Sequence, residues 1–410
     1  MSGKATFVAL LVIAALLLPS RAAIAQSRPP EGAITLGAAI EQAVAANPHL
    51  AAARLKRPVD VAGVDVARQL PNPELSYEFN RDTPKHSFSV LIPIEIGGKR
   101  SNRIDLARAV AKSGDAAIAQ EEFVLKNEVR RVYFALAAAQ ERVTAAADLR
   151  SLSLRARDAA QARLALGDAP RLELLQAELE LAAADNDLTT ATAAVAASRA
   201  ALNTLLGRAP ATPVAASDAL TTRALPGADD ALARANGASA ELATIDAAIA
   251  EQSMRRALAV ATTRPEITAG AGITSGIPDE FSTGWRASLG VTVPLFTRKA
   301  GVVVEDRELA RLRAERVAVL ADITGHVGEA RVRALAAEQQ LDRFEKDILP
   351  RALEVERMAE DSYKSGQSNL AALLQTLHSS REMRFRALDA ALDYQLALAD
   401  VERAMGVVIK

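Results

Sequence analysis

The sequence of 410 residues contains no cysteine, and only 3% of its residues are aromatic. The absence of cysteine excludes a disulfide framework, a thiolate metal site and a cysteine nucleophile. With 49 basic and 50 acidic side chains, the chain also lacks the excess positive charge of a dedicated nucleic-acid-binding protein. Half of the residues are nevertheless hydrophobic, mainly Ala, Leu and Val. This composition favours long, closely packed helices over a bulky globular core.

No pattern of catalytic or ligand-binding residues stands out. The histidines, at positions 49, 86, 326 and 378, are not spaced from one another or from carboxylates as zinc ligands are. The sequence has no phosphate-cradling loop, no Gly-x-Ser-x-Gly motif and no paired-carboxylate site. It therefore predicts no enzyme, no metal site and no cofactor.

The N-terminus has the features of an export signal. Lys4 precedes an apolar run at 5–18, and Ala23-Ile24-Ala25 fits the small-x-small cleavage pattern. The run is too short to cross a bilayer comfortably, so an N-terminal anchor helix is the weaker interpretation. We expect residues 1–25 to be removed on export. No later apolar run reaches about 18 residues, so any membrane span of the mature protein must be built from strands.

The chain repeats its own landmarks about 200 residues apart, a period too long for a solenoid repeat. Gly167 recurs as Gly366, and Gly207 recurs as Gly406. The triplet Leu174-Leu175-Gln176 recurs at the same offset. We therefore predict an internal two-fold repeat. The predicted units are a first repeat at 26–207, a linker at 208–228 and a second repeat at 229–410.

Each predicted repeat has a short helical segment, at 36–68 or 229–260, and later a long helical hairpin. Seven-residue spacing of apolar residues indicates coiled-coil seams in the hairpins. Residues 101–166 contain no proline, so a continuous helix there would be about 100 Å long. We expect hairpins at about 99–206 and about 299–405, the second interrupted at Pro350. One such seven-residue series is Leu174, Leu181, Leu188, Val195 and Leu202.

Four segments alternate between apolar and polar residues, as strands with one apolar face do. They lie at about 74–96 and about 266–296, and their length suits tilted transmembrane strands. A soluble sheet with one buried face shows the same alternation and remains an alternative. The predicted lipid-facing side chains are Leu75, Tyr77, Phe79, Phe88, Val90, Ile92, Trp285, Leu289 and Val291.

The number of strands limits how they can be used. Four strands cannot close a barrel with an open lumen, and an open strand edge cannot lie in lipid. If these strands are transmembrane, several chains must share one barrel. Three chains would supply twelve strands, an even number within the known range.

Taken in order, these features resemble the TolC family of outer-membrane export channels. Thr35-Leu36 and the following residues to Leu50 resemble the family's first helix, and residues 70–75 resemble its entry into the first strand. Tyr363-Lys364-Ser365-Gly366 resembles the second hairpin tip. Residues 94–100 resemble the segment after the second strand in the heavy-metal, CzcC-like branch.

The resemblance implies an α+β membrane protein that is a homotrimer. A 12-stranded transmembrane β-barrel, with four strands per chain, would lie in outer-membrane lipid and continue into a long α-helical coiled-coil barrel in the periplasm. The implied partners are a periplasmic adaptor (a membrane fusion protein) and an inner-membrane RND-type pump. The residues implied to contact the adaptor are Gly167, Asp168, Gly366 and Gln367 at the hairpin tips.

The resemblance also implies a constriction close to the tips. Two aspartates line it in the drug-efflux prototype, but Ala372 and Gln375 stand at the matching positions here. An aspartate gate of that kind is therefore not expected. Glu173 and Gln176 hold the equivalent places in the first half. A ring of Glu173 is one interpretation, and an ordinary solvated helix residue is the other.

The sequence thus predicts a passive outer-membrane conduit of a tripartite efflux system, with divalent heavy-metal cations as the expected cargo. Within the channel class, the alternatives are drug or small-molecule efflux and type I secretion of a polypeptide. An alternative of another class is a soluble periplasmic coiled-coil or adaptor protein. Such a protein would typically carry one hairpin and would need no duplicated strand pairs.

Overall fold

In a computed structural model, long helices dominate the fold and a small β-sheet joins their two halves. The structure describes residues 32–221, 224–275, 283–294 and 300–408. The predicted signal peptide at 1–25 lies outside the described residues. So do residues 222–223 of the predicted linker and Leu295 at the end of the fourth predicted strand.

Both halves place a strand pair before a helical hairpin, within a few residues of the predicted segments. The first half contains β1 (Ala33–Ile34), α1 (Leu36–Ala46), α2 (Pro48–Arg54), α3 (Lys56–Arg68), β2 (Glu74–Phe79), β3 (His86–Ile94), α4 (Lys99–Leu166) and α5 (Arg171–Leu205). The second half contains β4 (Ala215–Ala216), α6 (Ala228–Ala238), α7 (Ala240–Thr262), β5 (Glu266–Ser275), β6 (Gly284–Thr292), α8 (Ala300–Arg343), a π-helical turn (Phe344–Ile348), α9 (Leu349–Lys364) and α10 (Leu370–Met405). The duplication of one unit into the other stays a prediction.

The first hairpin is built on one unbroken helix. α4 has 68 residues and is about 100 Å long, and α5 returns along it. The most buried series on α5 is Ala177, Ala184 and Ala191, while the leucines of the predicted series are mostly half-buried beside it. Because an alanine side chain is one methyl group, the two helices can approach closely along this line.

In the second hairpin the hydrogen-bond pattern changes next to Pro350, where an interruption was predicted, but the chain remains helical. Pro350 has no N–H to donate to the carbonyl four residues earlier, and its ring crowds that carbonyl. In the π-helical turn, the N–H of Leu349 donates to the carbonyl of Phe344, five residues earlier. This wider turn accommodates the proline within a continuous helical path.

Residues 215–218 of the predicted linker pack against the first half. Strand β4 pairs in parallel with β1. The backbone N–H groups of Ser217 and Asp218 donate to the Tyr133 hydroxyl at 3.1 and 3.0 Å, and that hydroxyl donates to the carbonyl of Ile34 at 2.9 Å. Burial raises the pKa of the Tyr133 phenol, which stays a donor at neutral pH.

A buried ion pair fastens the last helix to the first half. Arg130 of α4 donates to Glu402 of α10, and both side chains are only 3% exposed. Beside it, the Asn127 amide donates to the carbonyl of Ala399 at 2.7 Å. Either charge alone would be costly at this depth, so each depends on the other.

We predict that Arg130→Met will destabilise the protein by about 3–5 kcal/mol, because it leaves the Glu402 charge buried without its partner. Thermal unfolding followed by circular dichroism measures the loss. The control is Arg142→Met, whose partner Asp389 is exposed and whose ion pair should contribute at most about 1 kcal/mol. Equal losses in the two variants would contradict the prediction. Replacing both members, as Arg130→Met with Glu402→Leu, should recover much of the stability.

Candidate channel-forming surfaces

The sheet has one apolar face that nothing in the described chain covers. Strands β2, β3, β5 and β6 are antiparallel neighbours in that order. Tyr77, Phe88, Ile273 and Trp285 lie directly opposite one another across the four strands. All four are exposed, and Trp285 is 84% exposed. Alternate residues of a strand share a face, so this face also carries Leu75, Phe79, Val90, Ile92, Leu289 and Val291.

The opposite face of the sheet is mostly polar or small. Ser76 and Ser89 share a hydrogen bond between their hydroxyls at 2.6 Å. In the register of the sheet, Arg286 and Ser288 fall on this same face. The structure therefore gathers all nine predicted lipid-facing side chains on one face and separates them from the polar ones. Their contact with lipid stays a prediction.

The two outer strands of the sheet, β2 and β6, have no further strand beside them among the described residues. Each therefore presents a row of backbone N–H and C=O groups at an open edge. Within lipid such groups must be paired, because no water is present to satisfy them. One edge can pair with the other only if they belong to different copies of the chain or if the sheet closes on itself.

The helical layer also has two open edges. Its order is α5, α4, α10 and α8, because α4 packs against α5 and α10, and α10 packs against α8. We call the exposed, uncharged series on the outer helices the α5 seam and the α8 seam. The α5 seam is Leu172, Leu175, Leu179, Ala182, Asn186, Thr189, Ala193 and Ala196. The α8 seam is Ala314, Ala318, Ala321, Gly325, Gly328, Val332 and Gln339. The α5 seam follows the alternating three- and four-residue spacing by which helices pack side by side, and the α8 seam follows it from Ala314 to Val332.

The predicted adaptor-contacting residues lie in two turns of the same backbone geometry. Gly167 and Gly366 have φ angles of 81° and 73°, a region that favours glycine. In each turn the glycine N–H donates to the carbonyl three residues earlier. The N–H of the next residue, Asp168 or Gln367, donates to the carbonyl five residues earlier at 2.9 Å. This pattern ends a helix and starts the reversal. Contact of these turns with an adaptor stays a prediction.

Glu173 is held within the chain near the first turn. Its carboxylate lies 4.0 Å from the Arg163 guanidinium, and its side chain is 19% exposed. The same guanidinium lies 5.2 Å from the centre of the buried Tyr363 ring. Burial, and to a lesser extent the Glu173 charge, raises the pKa of Tyr363. The structure thus places Glu173 against Arg163 instead of leaving it solvated, and its lining of a constriction stays a prediction.

The other two residues proposed for the constriction, Gln176 and Gln375, are both exposed. They lie near the start of α5 and of α10, the helices that follow the two turns. Neither is held by a side-chain contact like that of Glu173 in the described residues. Their place in a constriction also stays a prediction.

Charged contacts at the junction of sheet and helices were missed by the sequence reasoning. Gly97 and Gly98 both have positive φ and turn the chain from β3 into α4. Lys99, the first residue of α4, is buried and its ammonium lies 2.8 Å from the Glu266 carboxylate. No local pattern indicates this pair, because its members are separated by more than a hundred residues.

The histidines lie apart in the described structure. Nδ1 of His86 lies 2.9 Å from the Tyr77 hydroxyl, and Nδ1 of His378 lies 2.6 Å from the Arg381 guanidinium. Within the described ranges, no three His, Asp or Glu side chains are grouped to hold a metal ion.

None of the helices in the described ranges has both the length and the apolar character needed to cross a membrane.

Comparison with known proteins shows what this chain is similar to. The family model for outer membrane efflux proteins matches residues 39–208 of this chain. The chain is also similar to the cobalt-zinc-cadmium resistance protein CzcC of Cupriavidus metallidurans. The two are 28% identical over 391 residues, which cover 92% of this chain and 91% of the relative. The predictions of an outer-membrane location and of an efflux role are thereby confirmed.

Solved structures of transmembrane and outer-membrane channels share the fold. CusC superposes with a TM-score of 0.73 at 18% identity, covering 91% of this chain and 92% of that one. The open state of the MtrE outer membrane channel of Neisseria gonorrhoeae gives a TM-score of 0.73 at 19% identity, covering 92% and 89%. At these identities the likeness concerns the fold alone.

We predict that Leu289→Asp and Val291→Asp will each block assembly in the membrane. Both side chains lie on the apolar face, where a basic side chain at the bilayer midplane costs about 2–4 kcal/mol and an acidic one costs less but still opposes insertion. The matched control is Ser288→Asp, which places the same charge on the opposite face of β6. The amount of oligomer extracted from outer membranes measures the effect. Normal oligomer yield from both apolar-face variants would contradict a lipid-facing role.

Proposed function

We propose that the protein is a homotrimer that forms the passive outer-membrane conduit of a tripartite efflux system. Twelve strands, four from each chain, would close one β-barrel. The helical layers of the three chains would close a second, α-helical barrel that continues it into the periplasm. The observation that carries this proposal is the pair of open edges on each layer.

The two edges of each layer differ from each other, and this difference favours a ring of chains. β2 and β6 lie at opposite edges of the sheet, and the α5 and α8 seams lie at opposite edges of the helical layer. A contact between unlike edges is heterologous, and such contacts close into rings when the rotation permits. Three copies give twelve strands, which leave more internal space than eight, whose interior is filled by side chains.

The proposed cargo is divalent heavy-metal cations. The support is the similarity to a relative named for cobalt, zinc and cadmium resistance, which extends over 92% of the chain. A conduit for such ions does not require a tight metal site, because conduction needs binding weak enough to release the ion. The driving energy would come from an inner-membrane RND-type pump, through a periplasmic adaptor bound at the two turns.

Charges placed in a seam should prevent the ring from closing. We predict that the double variant Ala321→Glu with Gly328→Glu will lose the trimer, because both residues lie in the α8 seam and buried unpaired charges oppose association. The control is His326→Glu with Gln340→Glu, two exposed positions of α8 outside the seam. The mass of the detergent-extracted protein distinguishes the two. A stable trimer of the seam variant would contradict the proposed contact, and a soluble periplasmic monomer of the unmodified protein would overturn the conduit.

Cargo is tested separately from assembly. We predict that a strain lacking the protein will become more sensitive to zinc, cobalt and cadmium, and that the full chain will restore resistance. The seam variant should fail to restore it and its control should succeed. Unchanged metal tolerance together with increased sensitivity to organic drugs would overturn the metal cargo while leaving the trimeric conduit in place.

A further inference from the structure

A cavity of about 440 Å³ that is open to solvent lies between the two halves of the chain, away from the sheet and the tips. α4 and α9 both pack against α10, and the cavity lies between them. Leu220, from the segment that joins the halves, also lines it. This volume is within the range of sites that bind small organic molecules.

Four leucines of the second half form an apolar wall of the cavity. Leu341 of α8, Leu349 and Leu353 of α9 and Leu388 of α10 all border it. The π-helical turn lies between the first of these leucines and the second, so the turn shapes this wall. Apolar contact of this kind favours a ligand with a hydrocarbon body.

The charged groups around the cavity are of mainly one sign. Glu141 and Asp148 border it from α4, and Glu345 borders it from the π-helical turn. Among the described residues, none of these three carboxylates forms an ion pair. The basic residue in the lining, Arg384, donates to the buried Glu356 at 2.6 Å, so its charge is already balanced. The cavity therefore combines an apolar surface with carboxylates on two sides that form no ion pair in the described part of the chain. Lys346 interacts electrostatically with Glu345 but is itself paired with Asp342.

We propose that this cavity binds a small organic cation with an apolar body, such as an alkylammonium compound. The cation would lie among the carboxylates of α4 and the π-helical turn, and its hydrocarbon part would lie against the leucines of α8, α9 and α10. A ligand there would contact both halves of the chain at once. The inference concerns a site beyond the proposed conduit and does not depend on it.

The test is isothermal titration of the full-length, detergent-extracted protein with hexyltrimethylammonium, corrected by a detergent-only titration. We expect one saturable site per chain. Hexanoate, with a similar chain and the opposite charge, should bind at least about tenfold more weakly. Glu141→Gln and Glu345→Gln should each weaken binding of the cation about three- to tenfold. Leu353→Trp, which fills the cavity from a partly exposed position, should abolish it.

The matched control is Glu315→Gln on α8, where the carboxylate lies outside the cavity and is paired with Arg311 at 2.8 Å. Its affinity for hexyltrimethylammonium should equal that of the unmodified protein. Absence of saturable heat, equal binding of hexanoate, or full affinity in both glutamine variants would each overturn the proposal. Because oligomeric mass is measured on the same samples, loss of binding through failed assembly is recognised directly.

Discussion

The architecture depends on how closely its helices can approach one another. The contact between α4 and α5 is lined by Ala177, Ala184 and Ala191, and the α8 seam is made largely of alanine and glycine. Small side chains let long helices touch over their whole length without a thick core between them. Each contact buries little apolar area, so stability is distributed along the molecule. Specific polar contacts, such as that between Arg130 and Glu402, connect neighbouring helices in addition.

A single chain has buried clusters along its length but leaves its lateral edges uncovered. Its buried clusters lie in each half and near the hairpin ends, so each level of the bundle has a core of its own. The uncovered features are the apolar sheet face, the outer strands and the two seams. In the proposed homotrimer, lipid would cover the apolar face, and neighbouring copies of the chain would cover the outer strands and the seams. Each chain would then form one part of a closed ring.

Periodicity allowed most of the fold to be predicted, because helices and strands impose their spacing on the residues that pack. The strands at Glu74–Phe79 and Glu266–Ser275 and the helix at Lys99–Leu166 lie close to their expected bounds. Tertiary polar contacts were not predictable. The partners of Tyr133 and of Lys99 are distant in sequence, and neither residue type specifies its partner. Glu173 was placed on the correct helix, but its contact with Arg163 depends on the geometry of the turn between them.

The π-helical turn makes the two hairpins mechanically unequal. α4 keeps one regular ladder of hydrogen bonds from end to end, so it resists bending uniformly. In the second hairpin the ladder changes at Phe344–Ile348, about 25 Å from the turn at Gly366. Helices bend most readily where the ladder is altered. A sideways load on both tips would bend α4 evenly along its length. It would bend the helical path of α8 and α9 most readily at the π-helical turn, beside the unbroken α10. The two hairpins therefore differ in where they yield to the same load.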